Sequence, residues 1–256
     1  MTIKELGKYL RRDIKDMPFC PGCGHLVLLN IVLQAIDEMP LNIDEMLFAS
    51  GIGCAAWIPS PNFIADTLHT LHGRAVAFAI GAKMFNPKLK TVVISGDGDL
   101  TSIGGNHLIH AARRNIDMTV ICANNMIYGM TGGQVASTSP TGAYTATTMK
   151  GNPDRPFDLP RLVFGAGASY AARYAVTQKE LLVDAIKKAF SIKGFSFIEA
   201  LSPCPTQFGR RNDYDSAAKM FKMLKRRCVT QEDAGQLSED ELEDKILTGE
   251  FSYGRC

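Results

Sequence analysis

Apolar positions along the chain fall into two alternating patterns. Short continuous runs, at residues 46–50 (MLFAS), 92–94, 118–123 and 195–200, suit strands buried on both faces. Between them lie stretches of helical period. One covers 26–36 and stops before Pro40, another covers about 74–85 and is ended by Asn86 and Pro87, and a third covers about 103–114. Thr177 with Glu180 reads as a capping box for a helix reaching Phe190, and Gly194 stops it. The run 92–94, the helix after it and the run 118–123 make a right-handed βαβ unit with parallel strands. The predicted class is therefore α/β, a mostly parallel sheet flanked by helices, in which ligands sit beyond the carboxyl ends of the strands.

Composition narrows this picture. The 256 residues suffice for one well-buried domain, and no repeat or linker divides the first 205. We expect a binding domain over 1–212 and a C-terminal segment over 213–256, because composition shifts after Cys204. Residues 210–227 are basic and 232–250 acidic, as in solvated surface or a tail. A net charge of +2 gives no reason to expect nucleic acid or an anionic membrane surface as partner. No apolar run approaches the roughly 18 residues a membrane helix needs. The N-terminus lacks the apolar region of a secretory signal, so the expected location is cytoplasmic. Seven cysteines, an odd number spread from Cys20 to Cys256, do not resemble the disulfide framework of a small secreted domain. In a reducing compartment they suit metal ligands or redox groups.

Gly96-Asp97-Gly98 stands at the end of one predicted strand and Asn124-Asn125 at the end of the next. The intervening helix returns the chain to the same sheet edge, so Asp97 and Asn125 can converge. A carboxylate, an amide oxygen and a nearby carbonyl suit Mg²⁺ that shares its shell with phosphate oxygens. The glycines admit a phosphate close to the backbone, and the helix start offers free N–H groups. GDG followed by NN resembles the thiamine diphosphate fingerprint. By that resemblance Asp97, Asn125 and the Ile127 carbonyl bind the metal.

Cys20-Pro-Gly-Cys23 alone fits a redox pair or half a zinc site. Cys54, in SGIGCAAW, and Cys204, in LSPCPTQFGRRN, follow predicted strands, and four thiols gathered on that edge suit a 4Fe-4S cluster or zinc. A one-electron centre has a use beside thiamine diphosphate, and zinc has none evident. With HGRAVAFAIGAKMFNP, SGDGDLTSIGGNH and NNMIYGMTGGQ, these segments resemble the β subunit of the 2-oxoacid:ferredoxin oxidoreductases from about Cys20 to Asn212.

The resemblance implies a 4Fe-4S cluster on Cys20, Cys23, Cys54 and Cys204. It implies cofactor contacts from Gly51, Ile52, Gly53, Cys54, His72, Gly96, Asp97, Gly98, Asp99, Asn125, Ile127 and the loop from Thr131 to Gln134. It also implies oxidative decarboxylation of a 2-oxoacid with coenzyme A to acyl-CoA, carbon dioxide and reduced ferredoxin. The activating Glu is expected on an α subunit, with possible γ and ferredoxin-like δ subunits, so the chain is expected to be inactive alone. CPTQFGRRN resembles the 2-oxoglutarate branch, and Arg210 or Arg211 would suit a second carboxylate. Trp57, where some relatives carry a basic side chain, points away from that substrate, and pyruvate or branched-chain 2-oxoacids are the alternatives. A non-redox thiamine diphosphate decarboxylase would need GDG and NN but not the thiols. Cys122 reads as a core residue, His107 and His110 as structural or surface residues, and His25 as a neighbour of the thiols.

Overall fold

A computed structural model describes residues 5–13 and 16–251 of the chain. Eight strands form one sheet in the order β2-β1-β3-β4-β6-β5-β8-β7, namely β1 (Met46–Ser50), β2 (Asp66–His69), β3 (Lys90–Gly96), β4 (Met118–Asn124), β5 (Tyr170–Ala175), β6 (Phe195–Leu201), β7 (Cys228–Thr230) and β8 (Ile246–Phe251). Every pairing is parallel except β5 with β8. β1, β4 and β6 are buried along their whole length, because helices cover both faces.

Successive strand residues point to opposite faces and feed two cores. Val92, Ile94, Ile121 and Ile198 pack with α1 (Gly24–Asp37) and α5 (Lys179–Ser191). Val93, Val120, Cys122 and Phe197 pack with α2 (Ala75–Phe85), α3 (Gly105–Arg113) and α4 (Leu159–Gly165). Cys122 is thus a core residue, as expected. Among the described residues no helix is long and apolar enough to cross a membrane.

Three expectations change. The helix predicted over 103–114 forms as α3, but a π-helical turn at Gly98–Ile103, which the pattern does not predict, leads into it. Gly104 N–H reaches back five residues to the Asp99 carbonyl at 3.0 Å, a wide turn of the kind found at functional sites. The capping box at Thr177 and Glu180 does not form. The residue before α5 is Gln178, whose side chain turns toward the sheet, accepting from Ala175 N–H and donating to Thr248 Oγ1 at 3.0 Å each. Thr177 Oγ1 is left buried without a partner.

The segment beyond 212 is not a loose tail. It forms α6 (Ala217–Arg227), β7, α7 (Gln231–Ala234), α8 (Glu239–Leu242) and β8. β8 extends the sheet antiparallel to β5 and sends Phe251 into a core. The opposed charges of the two stretches meet, since Arg226 and Arg227 both pair with Asp244 at 3.0 and 2.9 Å. Cys256 lies outside the described residues.

Candidate active site

Parallel pairing brings the ends of β1, β3, β4 and β6 to one edge, and the register levels Gly96 with Ala123 and Ala123 with Ala200. An open cleft of about 480 Å³ runs across this edge. Ile52, Gly53, Cys54, His72, Gly96, Asp97, Gly98, Asp99, Asn125, Ile127 and Thr131 all line it. Gly51 lies just behind, its N–H donating to Ser95 Oγ at 3.3 Å.

Asp97 is 2% exposed. Its carboxylate accepts the Thr138 hydroxyl and the backbone N–H groups of Asn125 and Gly98. No cationic side chain answers it among the described residues, and burial pushes the carboxyl up to about 6 despite those donors. A buried anion held by neutral donors fits a divalent cation. Asn125 and Ile127 stand beside it in a tight turn, in which Asn125 Oδ1 accepts Ile127 N–H at 3.2 Å. Gly98 makes room for the ring of Tyr128. A methyl there would lie 2.5 Å from it, and the Tyr128 hydroxyl donates to the Gly98 carbonyl at 3.0 Å.

Asp99 takes its donors from the chain itself. Oδ1 accepts from Ile52 N–H at 3.1 Å, from Gly73 N–H at 2.7 Å and from His72 Nδ1, and Oδ2 accepts from Ser95 Oγ at 2.7 Å. It therefore fastens the loops after β1 and β2 to the π turn, and through it the His72 ring is held on the cleft wall. Thr131 and Gln134 close their loop on each other through two hydrogen bonds. Arg211 donates to Gln207 and to the Gly132 carbonyl at 3.1 Å, so its guanidinium braces that loop. Arg210 is exposed, and neither arginine lines the cleft, contrary to the expectation that one would meet a second carboxylate there. Trp57 stacks edge-on against His69.

The thiols come together beside this cleft. A methyl at Gly129 would lie 3.7 Å from both Cys54 Sγ and Cys204 Sγ and 3.5 Å from Asn125 Nδ2, so that glycine marks where the thiols and the Asp97–Asn125 pair meet. Gly24 N–H donates to the Pro203 carbonyl at 2.9 Å, and Cys23 N–H to the Cys20 carbonyl at 3.0 Å. These bonds place the CPGC turn against Cys204. Burial raises Cys23 to about 12, and neighbouring Cys204, Cys54 and Cys20 push the same way. Cys54 rises to about 11, from burial first and then from Cys204 and Cys20. Among the described residues no three His, Cys, Asp or Glu side chains are grouped closely enough for a single ion.

His25 lines the cleft, fully buried, its Nδ1 2.7 Å from Ser202 Oγ, and burial lowers its imidazole to about 4. His107 and His110 lie on α3 away from the cleft, and His110 contacts Arg113. Tyr128 and Gly129 belong to the site and lie within NNMIYGMTGGQ, though no role follows from that segment alone, and Thr138 lies outside every motif that marks the site in the sequence.

Residues 51–200 match the family model "Thiamine pyrophosphate enzyme, C-terminal TPP binding domain". The chain is 48% identical over 98% of its length to the 2-oxoglutarate synthase subunit KorB of Methanothermobacter marburgensis, covering 89% of that protein. It is 42% identical over 73% of its length to the 2-oxoacid:ferredoxin oxidoreductase subunit beta of Saccharolobus solfataricus, covering 62% of it. Its structure superposes on a 2-oxoglutarate:ferredoxin oxidoreductase chain from Magnetococcus marinus, solved with 2-oxoglutarate, coenzyme A and succinyl-CoA bound, with a TM-score of 0.82 and 31% identity, covering 96% of this chain and 83% of that one.

Proposed function

The chain belongs to the thiamine pyrophosphate enzymes and, within them, to the β subunits of the 2-oxoacid:ferredoxin oxidoreductases, and from that membership we propose that it is the cofactor-binding subunit of a 2-oxoglutarate:ferredoxin oxidoreductase. The overall reaction converts 2-oxoglutarate, coenzyme A and two oxidised ferredoxins into succinyl-CoA, carbon dioxide, two reduced ferredoxins and a proton.

Asp97, Asn125 and the Ile127 carbonyl would hold Mg²⁺, and the donor set suits it, being hard oxygens around one buried uncompensated carboxylate. Thiamine diphosphate, when bound, supplies the nucleophilic carbon and the electron sink that decarboxylation of a 2-oxoacid requires. The Gly51–Cys54 loop, His72 and the Thr131 loop frame the cleft that receives it, and Asp99 keeps the first two in place. Cys20, Cys23, Cys54 and Cys204 would hold a 4Fe-4S cluster beside that cleft. A one-electron centre beside thiamine diphosphate has a use that a zinc ion there would lack, and this supports a cluster over zinc. Binding the cluster must displace the protons that burial keeps on Cys23 and Cys54. The carboxylate that activates the cofactor is assigned to a partner α subunit, with ferredoxin or a ferredoxin-like subunit receiving the electrons. We place the complex in the cytoplasm.

The observation that carries this reading is Gly129, where thiols and metal-binding amide come within a side chain's width of each other. The 2-oxoglutarate assignment is supported by the names of the similar proteins, not by Arg210 or Arg211. The test is anaerobic copurification with an α subunit, followed by coenzyme A-dependent reduction of ferredoxin with 2-oxoglutarate, pyruvate and branched-chain 2-oxoacids. We expect visible cluster absorption, bound thiamine diphosphate and a preference for 2-oxoglutarate. A colourless, iron-free complex that still decarboxylates would refute the redox reading, and a preference for pyruvate would refute the substrate.

A further inference from the structure

Asn124 and Asn125 turn in opposite directions, and what lies behind Asn124 has no part in the chemistry described so far. Asn124 Nδ2 donates to Glu199 Oε1 at 2.7 Å. Its Oδ1 accepts Met126 N–H at 2.9 Å, which folds the chain back at Met126. Met126 has φ +66, a left-handed conformation uncommon for a side chain of its size, so the turn has to be held from outside. The Met126 carbonyl is held in turn by Ser139 Oγ at 2.7 Å. This turn sets where Asn125 and Ile127 present their oxygens.

Glu199 lies in β6 at 2% exposure, and its second oxygen accepts Arg173 Nε from β5 at 2.7 Å. Arg173 also donates to Asp158 Oδ1 at 2.8 Å, just before α4, and to the Leu247 carbonyl of β8 at 3.4 Å. A buried ion pair is weak support for stability, because desolvation offsets its attraction. This one ends on the backbone turn of the metal loop. We propose that Glu199 and Arg173 are positioning residues that fix the turn from Asn124 to Ile127, and thereby set the affinity for the divalent cation and the diphosphate. The proposal rests on the assignment of that cation to Asp97, Asn125 and Ile127.

Both groups facing Glu199 are donors. A carboxylate satisfies both, whereas an amide presents a donor of its own to one of them. Glu199→Gln must therefore release either Asn124 or Arg173. The milder Arg173→Lys keeps the charge beside Glu199 but cannot span to Asp158 as well.

Mg²⁺ and thiamine diphosphate affinities would be measured by calorimetry on the complex with its α subunit, alongside thermal unfolding, for wild type, E199Q, R173K and D97N. We expect E199Q to weaken Mg²⁺-dependent cofactor binding at least tenfold and R173K to weaken it less. Should E199Q fail to assemble, R173K alone must still show weakened binding. Wild-type affinity in an assembled E199Q, or in R173K where E199Q does not assemble, with or without a lower unfolding temperature, would make the pair merely structural and overturn the proposal. If D97N binds as tightly as wild type, the metal assignment itself fails. If only D97N loses binding, the assignment stands and the positioning role falls.

Discussion

Asp97→Asn is expected to stabilise the metal-free protein while destroying its affinity for cation and cofactor. Folding moves this carboxyl from the ordinary 3.8 to about 6, because the buried anion lacks a counter-charge. A shift of that size costs about 3 kcal/mol at pH values above 6. The sign follows from protonation: the folded state holds this proton more tightly, so the stability it contributes is complete below pH 3.8 and is lost as pH rises through 6. Asparagine removes the charge but turns an amide donor toward the Asn125 and Gly98 N–H groups, which offsets about 1–2 kcal/mol of the gain. The net expectation is roughly 1–2 kcal/mol in favour of the variant at pH 7.5. That margin should narrow by roughly 1.4 kcal/mol at pH 5, where wild type has largely regained its proton. Urea denaturation of metal-free wild type and variant at both pH values reads this directly. Saturating Mg²⁺ and thiamine diphosphate should reverse the order, adding about 2.7 kcal/mol to wild type at a hundredfold excess over Kd and nothing to the variant. A margin that does not change with pH, or a variant less stable at pH 7.5, would refute the uncompensated buried anion.

His25 gives the opposite slope. Its imidazole is lowered to about 4 by burial against the ordinary 6.5, so below pH 6.5 the unfolded chain takes up a proton that the fold refuses, and about 2 kcal/mol is lost between pH 7.5 and 5. His25→Gln should flatten that dependence in denaturation curves, and an unchanged slope would locate it elsewhere. Gly98→Ala places a methyl 2.5 Å from the Tyr128 ring, so we expect roughly 1–3 kcal/mol of overpacking strain and weaker cofactor binding by titration. Thr177→Val keeps the shape of a buried hydroxyl that has no partner, and should raise stability by about 1 kcal/mol. A fall in its unfolding midpoint would mean that the hydroxyl is satisfied.

The elements that were legible in the sequence are those whose burial is written in adjacent residues. The run MLFAS became β1 over the same five residues, and the turns GDG and NN stood where strand ends put them. β5 was not legible, because YAARYA is weakly apolar and its Arg173 reads as surface. Only Glu199 and Asp158, 26 and 15 positions away, make that charge a buried one. The two aspartates that look alike in GDGD differ in what surrounds them: Asp97 has only neutral donors, whereas Asp99 is saturated by Ser95 and by the loops after β1 and β2. Thr138 reaches Asp97 across 41 positions from a segment with no regular element, and no local pattern announces that contact.

The four thiols come from three distant stretches of chain, with 31 positions between Cys23 and Cys54 and 150 between Cys54 and Cys204. Their meeting point therefore does not exist until β6 has joined the sheet and the Ser202–Pro203 turn has received the start of α1. Contacts of such long range form late, after the entropy of closing the loops has been overcome. Under the proposed function, a chain not yet extended to Cys204 would offer Cys20, Cys23 and Cys54 without their fourth partner. If the proposed cluster is held there, its insertion follows folding, and it would tie the start of α1 to the loops after β1 and β6.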